Sequence, residues 1–114
     1  MDDLIQKHCV PCEGGVDPFT PEEIEKYNGI LTTPWDIIDD KKIKREFKFK
    51  NFKEAVKFVN SVADIAESEG HHPDIHIFYN KVTLELWTHA IGGLSINDFI
   101  LAAKIEKIIT SKDQ

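Results

Sequence analysis

No stretch of this sequence is long and apolar enough to span a bilayer, which takes about 20 consecutive apolar residues. The opening residues, MDDLIQKHCV, are acidic and lack the apolar core of a signal peptide. A cytoplasmic protein with no membrane partner is therefore expected. Cysteine is scarce. Cys9 and Cys12 form one C-x-x-C, with no second pair to complete a four-cysteine zinc site. Gly14-Gly15 follows where a thioredoxin-type motif would open a helix. Two cysteines also give no disulfide framework. There is no glycine-rich phosphate loop and no internal repeat. Acidic residues outnumber basic ones, and the net charge of −6 argues against direct nucleic-acid binding.

The chain has 114 residues, enough for one core and too few for two. Residues 1–19 read as a loose N-terminal arm, broken by Pro11, Gly14, Gly15 and Pro18, and 20–114 as a single domain. Eight of the fourteen basic residues fall between Lys41 and Lys57. They read as a solvated strand face and a helix start, with an anion- or partner-binding patch as the alternative.

Thr20-Pro21-Glu22-Glu23 is a helix start with a capping box, and Asn28-Gly29 an end. Trp35 to Asp39 reads as a strand and Asp39 to Lys42 as a turn. Ile43 to Lys50 alternates, with Ile43, Arg45, Phe47 and Phe49 on one face and charged residues on the other. Asn51 caps a long helix that Gly70 stops. Its apolar stripe is Phe52, Ala55, Val56, Val59, Val62, Ala63 and Ala66. A second stripe, Phe58, Val62 and Ile65, reads as a contact between subunits or as a wide core face. Pro73 excludes helix beyond it. A hairpin runs from Asp74 to His89, and Ser95 with Asp98 starts the last helix as another capping box. The order α-β-β-α-β-β-α predicts an α+β fold, a four-stranded antiparallel sheet with helices packed on one face.

The hairpin can be registered on paper. With Asn80-Lys81 as its two-residue loop, Tyr79, Ile77 and Ile75 face Val82, Leu84 and Leu86, an unbroken apolar face. His76 then faces Glu85, Asp74 faces Trp87, and His72 faces His89. Opposed residues have Cβ atoms roughly 4.5–5.5 Å apart, so two imidazoles remote in sequence share one site beside His71.

The chemistry of the chain therefore gathers at Glu67, His71, His72, His89 and Asp98. Histidine gives and takes protons near neutrality, which suits general acid–base catalysis. Three histidines can also hold zinc, although the helical H-x-x-x-H spacing is absent. Histidines at a helix exit can instead serve structure by satisfying helix carbonyls. Asp98 has a sufficient role as a cap, and Trp87 could stack on a flat ligand or pack in the sheet.

The run Glu67-x-x-x-His71-His72-Pro73-Asp74, then Tyr79-Asn80-Lys81-Val82, Thr88-His89, Gly92-Gly93-Leu94-Ser95 and Asp98 resembles the pterin-4a-carbinolamine dehydratases. The similarity runs from about Thr20 to the C-terminus. It implies loss of water from a 4a-hydroxytetrahydropterin to give quinonoid dihydropterin, in recycling of the carbinolamine made by aromatic amino acid hydroxylases. It implies no metal and no redox cofactor. By position, His71, His72 and His89 match the family's active-site histidines. Glu67, Pro73, Asp98 and Trp87 fall around the pterin. The resemblance also implies a homodimer or homotetramer, and some animal members are dimerisation cofactors of a homeodomain transcription factor. Ala90 stands where many members carry an acidic residue, Ile75 where some carry tryptophan, and Trp87 where a small polar residue is commoner.

Overall fold

The computed structural model describes residues 2–9 and 17–112. Its elements are α1 (Asp2–Gln6), α2 (Pro21–Asn28), β1 (Asp36–Ile38), β2 (Lys42–Lys48), α3 (Phe52–Glu69), β3 (Asp74–Phe78), β4 (Lys81–Leu86), a 3₁₀ turn (His89–Ile91) and α4 (Ile96–Lys112). The four strands form one sheet in the order β1-β2-β4-β3, every neighbouring pair antiparallel. Expected and observed architecture agree.

The reasons are local. Thr20 accepts from Glu23 N–H while the Glu23 carboxylate accepts from Thr20 N–H, the reciprocal box expected for α2. The Asn51 side chain caps α3, and Gly70 ends it in the left-handed conformation, φ 67°. Strand β2 buries Ile43 and Phe47 and leaves Lys44 and Lys48 exposed. Val82, Leu84 and Leu86 of β4 complete the buried sheet face. Phe58 of α3 lies between Phe47 and Phe49, at 4.9 Å between ring centroids from each. No helix among the described residues is long and apolar enough to cross a membrane.

Three local expectations change. Residues 2–9 do not form a loose segment. They include α1, which packs on α4 and buries Leu4 in the common core. Pro11, Cys12, Gly14 and Gly15 lie outside the described residues.

The two stripes of α3 merge into one wide core face, the second of the two readings offered for Phe58, Val62 and Ile65. The core takes Ala55, Phe58, Val62 and Ala66, so the second stripe is largely internal. Phe52 and Ala63, from the stripe assigned to the core, are exposed. The Phe58 cluster with Phe47 and Phe49 sets this phase.

In the hairpin, the loop is Tyr79-Asn80 rather than Asn80-Lys81. Ile75 pairs with Leu84, Ile77 with Val82 and Asp74 with Glu85. Asn80 decides this. Its side-chain amide donates to Phe49 O and its carbonyl accepts from Phe49 N–H, which fixes it at the end of β2. Tyr79 takes the left-handed turn position, φ 52°. A shift of two residues preserves facing, so the buried set on β4 is unchanged.

Candidate active site

Helix α3, the start of β3, the end of β4 and the first turn of α4 converge on one cavity of about 360 Å³. Residues 70–74 and 87–90 line it, with Asn97 from α4. His71, His72, Pro73, Trp87 and His89 all line it. The revised register no longer sets His72 opposite His89, yet both imidazoles still face this space.

Each histidine is held differently. His71 Nε2 lies 2.6 Å from Asp98 Oδ1. Asp98 is fully buried, and its other oxygen accepts from the Thr88 hydroxyl at 2.9 Å and from Ser95 N–H at 3.0 Å. The two carboxylate oxygens thus divide the work, Oδ2 capping α4 and Oδ1 holding His71. A carboxylate accepts, so Nε2 carries the hydrogen and Nδ1 of a neutral His71 keeps its lone pair. The Thr88 proton points to Asp98, so the Ser95 hydroxyl, 2.9 Å from Thr88 Oγ1, donates to Thr88.

His72 is exposed, its Nε2 2.9 Å from Glu67 Oε1. Glu67 is itself exposed and holds His72 from the rim rather than lining the cavity. The His89 ring sits 3.8 Å from the Trp87 ring, inclined by 32°. The indole N–H donates to Asp74 Oδ2 at 3.2 Å. Beyond it, Lys42 lies 5.0 Å from the indole and 3.9 Å from Glu85, which also pairs with His76 at 3.2 Å. The expected His76–Glu85 contact therefore exists, made diagonally, since the ladder partner of His76 is Thr83.

Sequence reasoning missed Glu69. Its carboxylate is nearly buried, and it accepts from Cys9 N–H at 2.8 Å and Lys104 Nζ at 2.9 Å, with His8 Nδ1 at 3.1 Å. Burial pushes this carboxyl up, but the bonds from Cys9, Lys104 and His8 outweigh it and leave the pKa lowered to about 2. Glu69 thereby fixes the end of α3, one residue before Gly70 and two before His71. A hollow of about 670 Å³ lies beside it, partly lined by Ile5, Ile65, Lys104 and Ile108. That hollow is larger but contains none of the three site histidines. Asp74, Thr88 and Asn97 are further lining residues; the first two stand in the family-like run but had no site role assigned to them, and Asn97 was not singled out. Their signal is three-dimensional, because each gains its role from a partner on another element or across a turn.

Comparisons with known proteins identify the family. The family model described as Pterin 4 alpha carbinolamine dehydratase matches residues 17–108. The chain belongs to this family. A relative from Alkaliphilus metalliredigens (strain QYMF), named "Putative pterin-4-alpha-carbinolamine dehydratase", is 47% identical over 107 residues, 94% of this chain and 96% of its own. One of the same name from Nitrosospira multiformis is 50% identical over 108 residues, 95% and 94% of the two chains. Among solved structures, a transcriptional coactivator/pterin dehydratase from Brucella melitensis superposes with a TM-score of 0.75 at 33% identity. The match covers 81% of this chain and 98% of that one. The Pterin 4 alpha carbinolamine dehydratase match spans all the cavity-lining residues of this chain.

Proposed function

We propose that this chain dehydrates a 4a-hydroxytetrahydropterin by histidine acid–base catalysis. The observation that carries the reading is the pairing of His71 with buried Asp98 at a cavity that His89 also lines. In the reaction the bond between C4a and the hydroxyl oxygen breaks. The oxygen takes a proton from an acid and leaves as water. A base removes the proton from the adjoining ring nitrogen, whose electron pair forms the new double bond. His71, oriented by Asp98 with Nδ1 free to accept, is the base. His89 is the acid. His72, steadied by Glu67, holds the pterin with Pro73 shaping the pocket. Each proton transfer is typically worth roughly 10²–10⁴ in rate.

The chain serves recycling of tetrahydropterin oxidised by an aromatic amino acid hydroxylase, and it works in the cytoplasm as a homodimer or homotetramer. Support for assembly comes from β3, an edge strand on which Ile77 and Phe78, with Tyr79 just beyond, are exposed.

The test is the ultraviolet absorbance of enzymatically generated 4a-hydroxytetrahydropterin, followed with wild type, His71→Ala and His89→Ala. Rapid loss with wild type that collapses in both variants supports the assignment. A folded wild type no faster than buffer overturns it, and a binding role for the same fold takes its place.

A further inference from the structure

His71 and His72 are each held by a carboxylate, whereas His89 is not. Among the described residues, no hydrogen bond or ion pair reaches its imidazole, and the contact made by its side chain is the indole of Trp87 at 3.8 Å. His89 is exposed and stands on a single 3₁₀ turn. Such a side chain samples several rotamers unless something selects one. Acid catalysis needs one geometry, with the donor nitrogen within about 3 Å of the leaving oxygen.

The indole itself is fixed. Trp87 follows the last residue of β4, and its N–H is bound to Asp74, the first residue of β3. Lys42, on the neighbouring strand β2, lies over the ring. Three strands therefore hold one aromatic plate, and His89 lies against it. We propose that Trp87 is a positioning residue that sets the orientation of His89, with Asp74 locking the indole. This rests on the reading of His89 as the acid. It differs from a stacking platform for the pterin, because the ring contact goes to His89 rather than to open space.

The two roles separate kinetically. A positioning residue lowers kcat when removed and leaves KM nearly unchanged, whereas a binding platform raises KM. We expect Trp87→Ala to lose about tenfold or more in kcat, since misplacing a reacting group by about 1 Å can cost 10²-fold. KM should stay within about twofold. Trp87→Phe keeps a ring and loses the N–H, and Asp74→Ala loses only its acceptor. Both loosen the indole without removing its ring, so each should lose part of the kcat that Trp87→Ala loses, keep KM within about twofold and resemble the other.

A measurement on the wild type needs no variant to fold. The indole ring current should move the His89 imidazole protons upfield of those of His76 in a proton NMR spectrum. His89 protons at ordinary histidine positions overturn the proposal. So does Trp87→Ala with an unchanged kcat, or with a raised KM at constant kcat. An active His89→Ala overturns both the proposal and the acid assignment. An inactive His89→Ala beside an unaffected Trp87→Ala overturns the positioning role alone.

Discussion

The carboxylate of Asp98 reaches His71 Nε2 at 2.6 Å while still bonding the backbone N–H of Ser95, so one buried side chain both starts α4 and aims a histidine at the cavity. The two oxygens are used separately. Replacing Asp98 by Asn keeps its size and an acceptor for Ser95. If that oxygen stays on Ser95, the amide turned towards His71 is a donor, which forces the opposite tautomer. We expect Asp98→Asn to slow dehydration by roughly 10²–10⁴. Stopped-flow absorbance measures the rate, and a thermal melt checks that the fold persists.

Thr88 supports the same carboxylate from inside the fold, and its side chain is buried with every bond internal. Thr88→Val preserves the shape and removes the hydroxyl. Asp98 loses one donor and Ser95 one acceptor. A cost of about 1–3 kcal/mol follows, because one of the two lost bonds goes to a buried carboxylate. Urea unfolding should show a lower midpoint with an unchanged slope.

Glu69 makes stability depend on acid. Its carboxyl sits at about 2 in the folded chain against an ordinary 4.5. A depressed pKa contributes stability that is complete above the unfolded value and lost as pH falls through the folded one. The loss therefore runs from about pH 4.5 down to about pH 2. Glu69→Gln should be less stable than wild type at neutral pH by about 1–3 kcal/mol. Its unfolding midpoint should change less than that of wild type across the acid window. Equal acid dependence in the two proteins would show that Glu69 is not the responsible group.

Gly70 stands between Glu69 and His71 with φ 67°, and a Cβ there would meet nothing within 4 Å. The penalty for Gly70→Ala is therefore conformational rather than steric, about 1 kcal/mol. Gly70→Asn should cost less, because asparagine tolerates this conformation better. Chemical denaturation of the three proteins ranks them.

Much of this was legible in the sequence because it is local. Asn51 as a cap, Thr20 with Glu23, and Gly70 shortly before Pro73 are signals that span a few residues, and each marks a real helix end. The alternation of Ile43, Phe47 and their neighbours gave the sheet face. The histidines line one cavity as expected, although all three lie just beyond the paired residues of β3 and β4 rather than in register across them. The register itself was set by Asn80 binding Phe49 across 31 residues, which no pattern within the hairpin encodes. The phase of α3 was similarly settled by aromatic contacts with β2 and the residues after it. The Glu69 bonds to Cys9 and Lys104 join three distant segments, so neither α1 nor this buried carboxylate announced itself.

The dependence of the site on α4 also imposes an order in time. As the chain is made, His71, His72 and His89 leave the ribosome before Asp98 and Lys104 do. Until α4 docks, His71 has no buried carboxylate and Glu69 lacks its lysine. Helix α1 waits too, since the core that receives Leu4 is built partly from α4. Contacts between segments so far apart close late, after local helices and hairpins have formed. A nascent chain that stops short of α4 thus carries His71 without its buried carboxylate, although His72 and His89 already have Glu67 and Trp87 beside them.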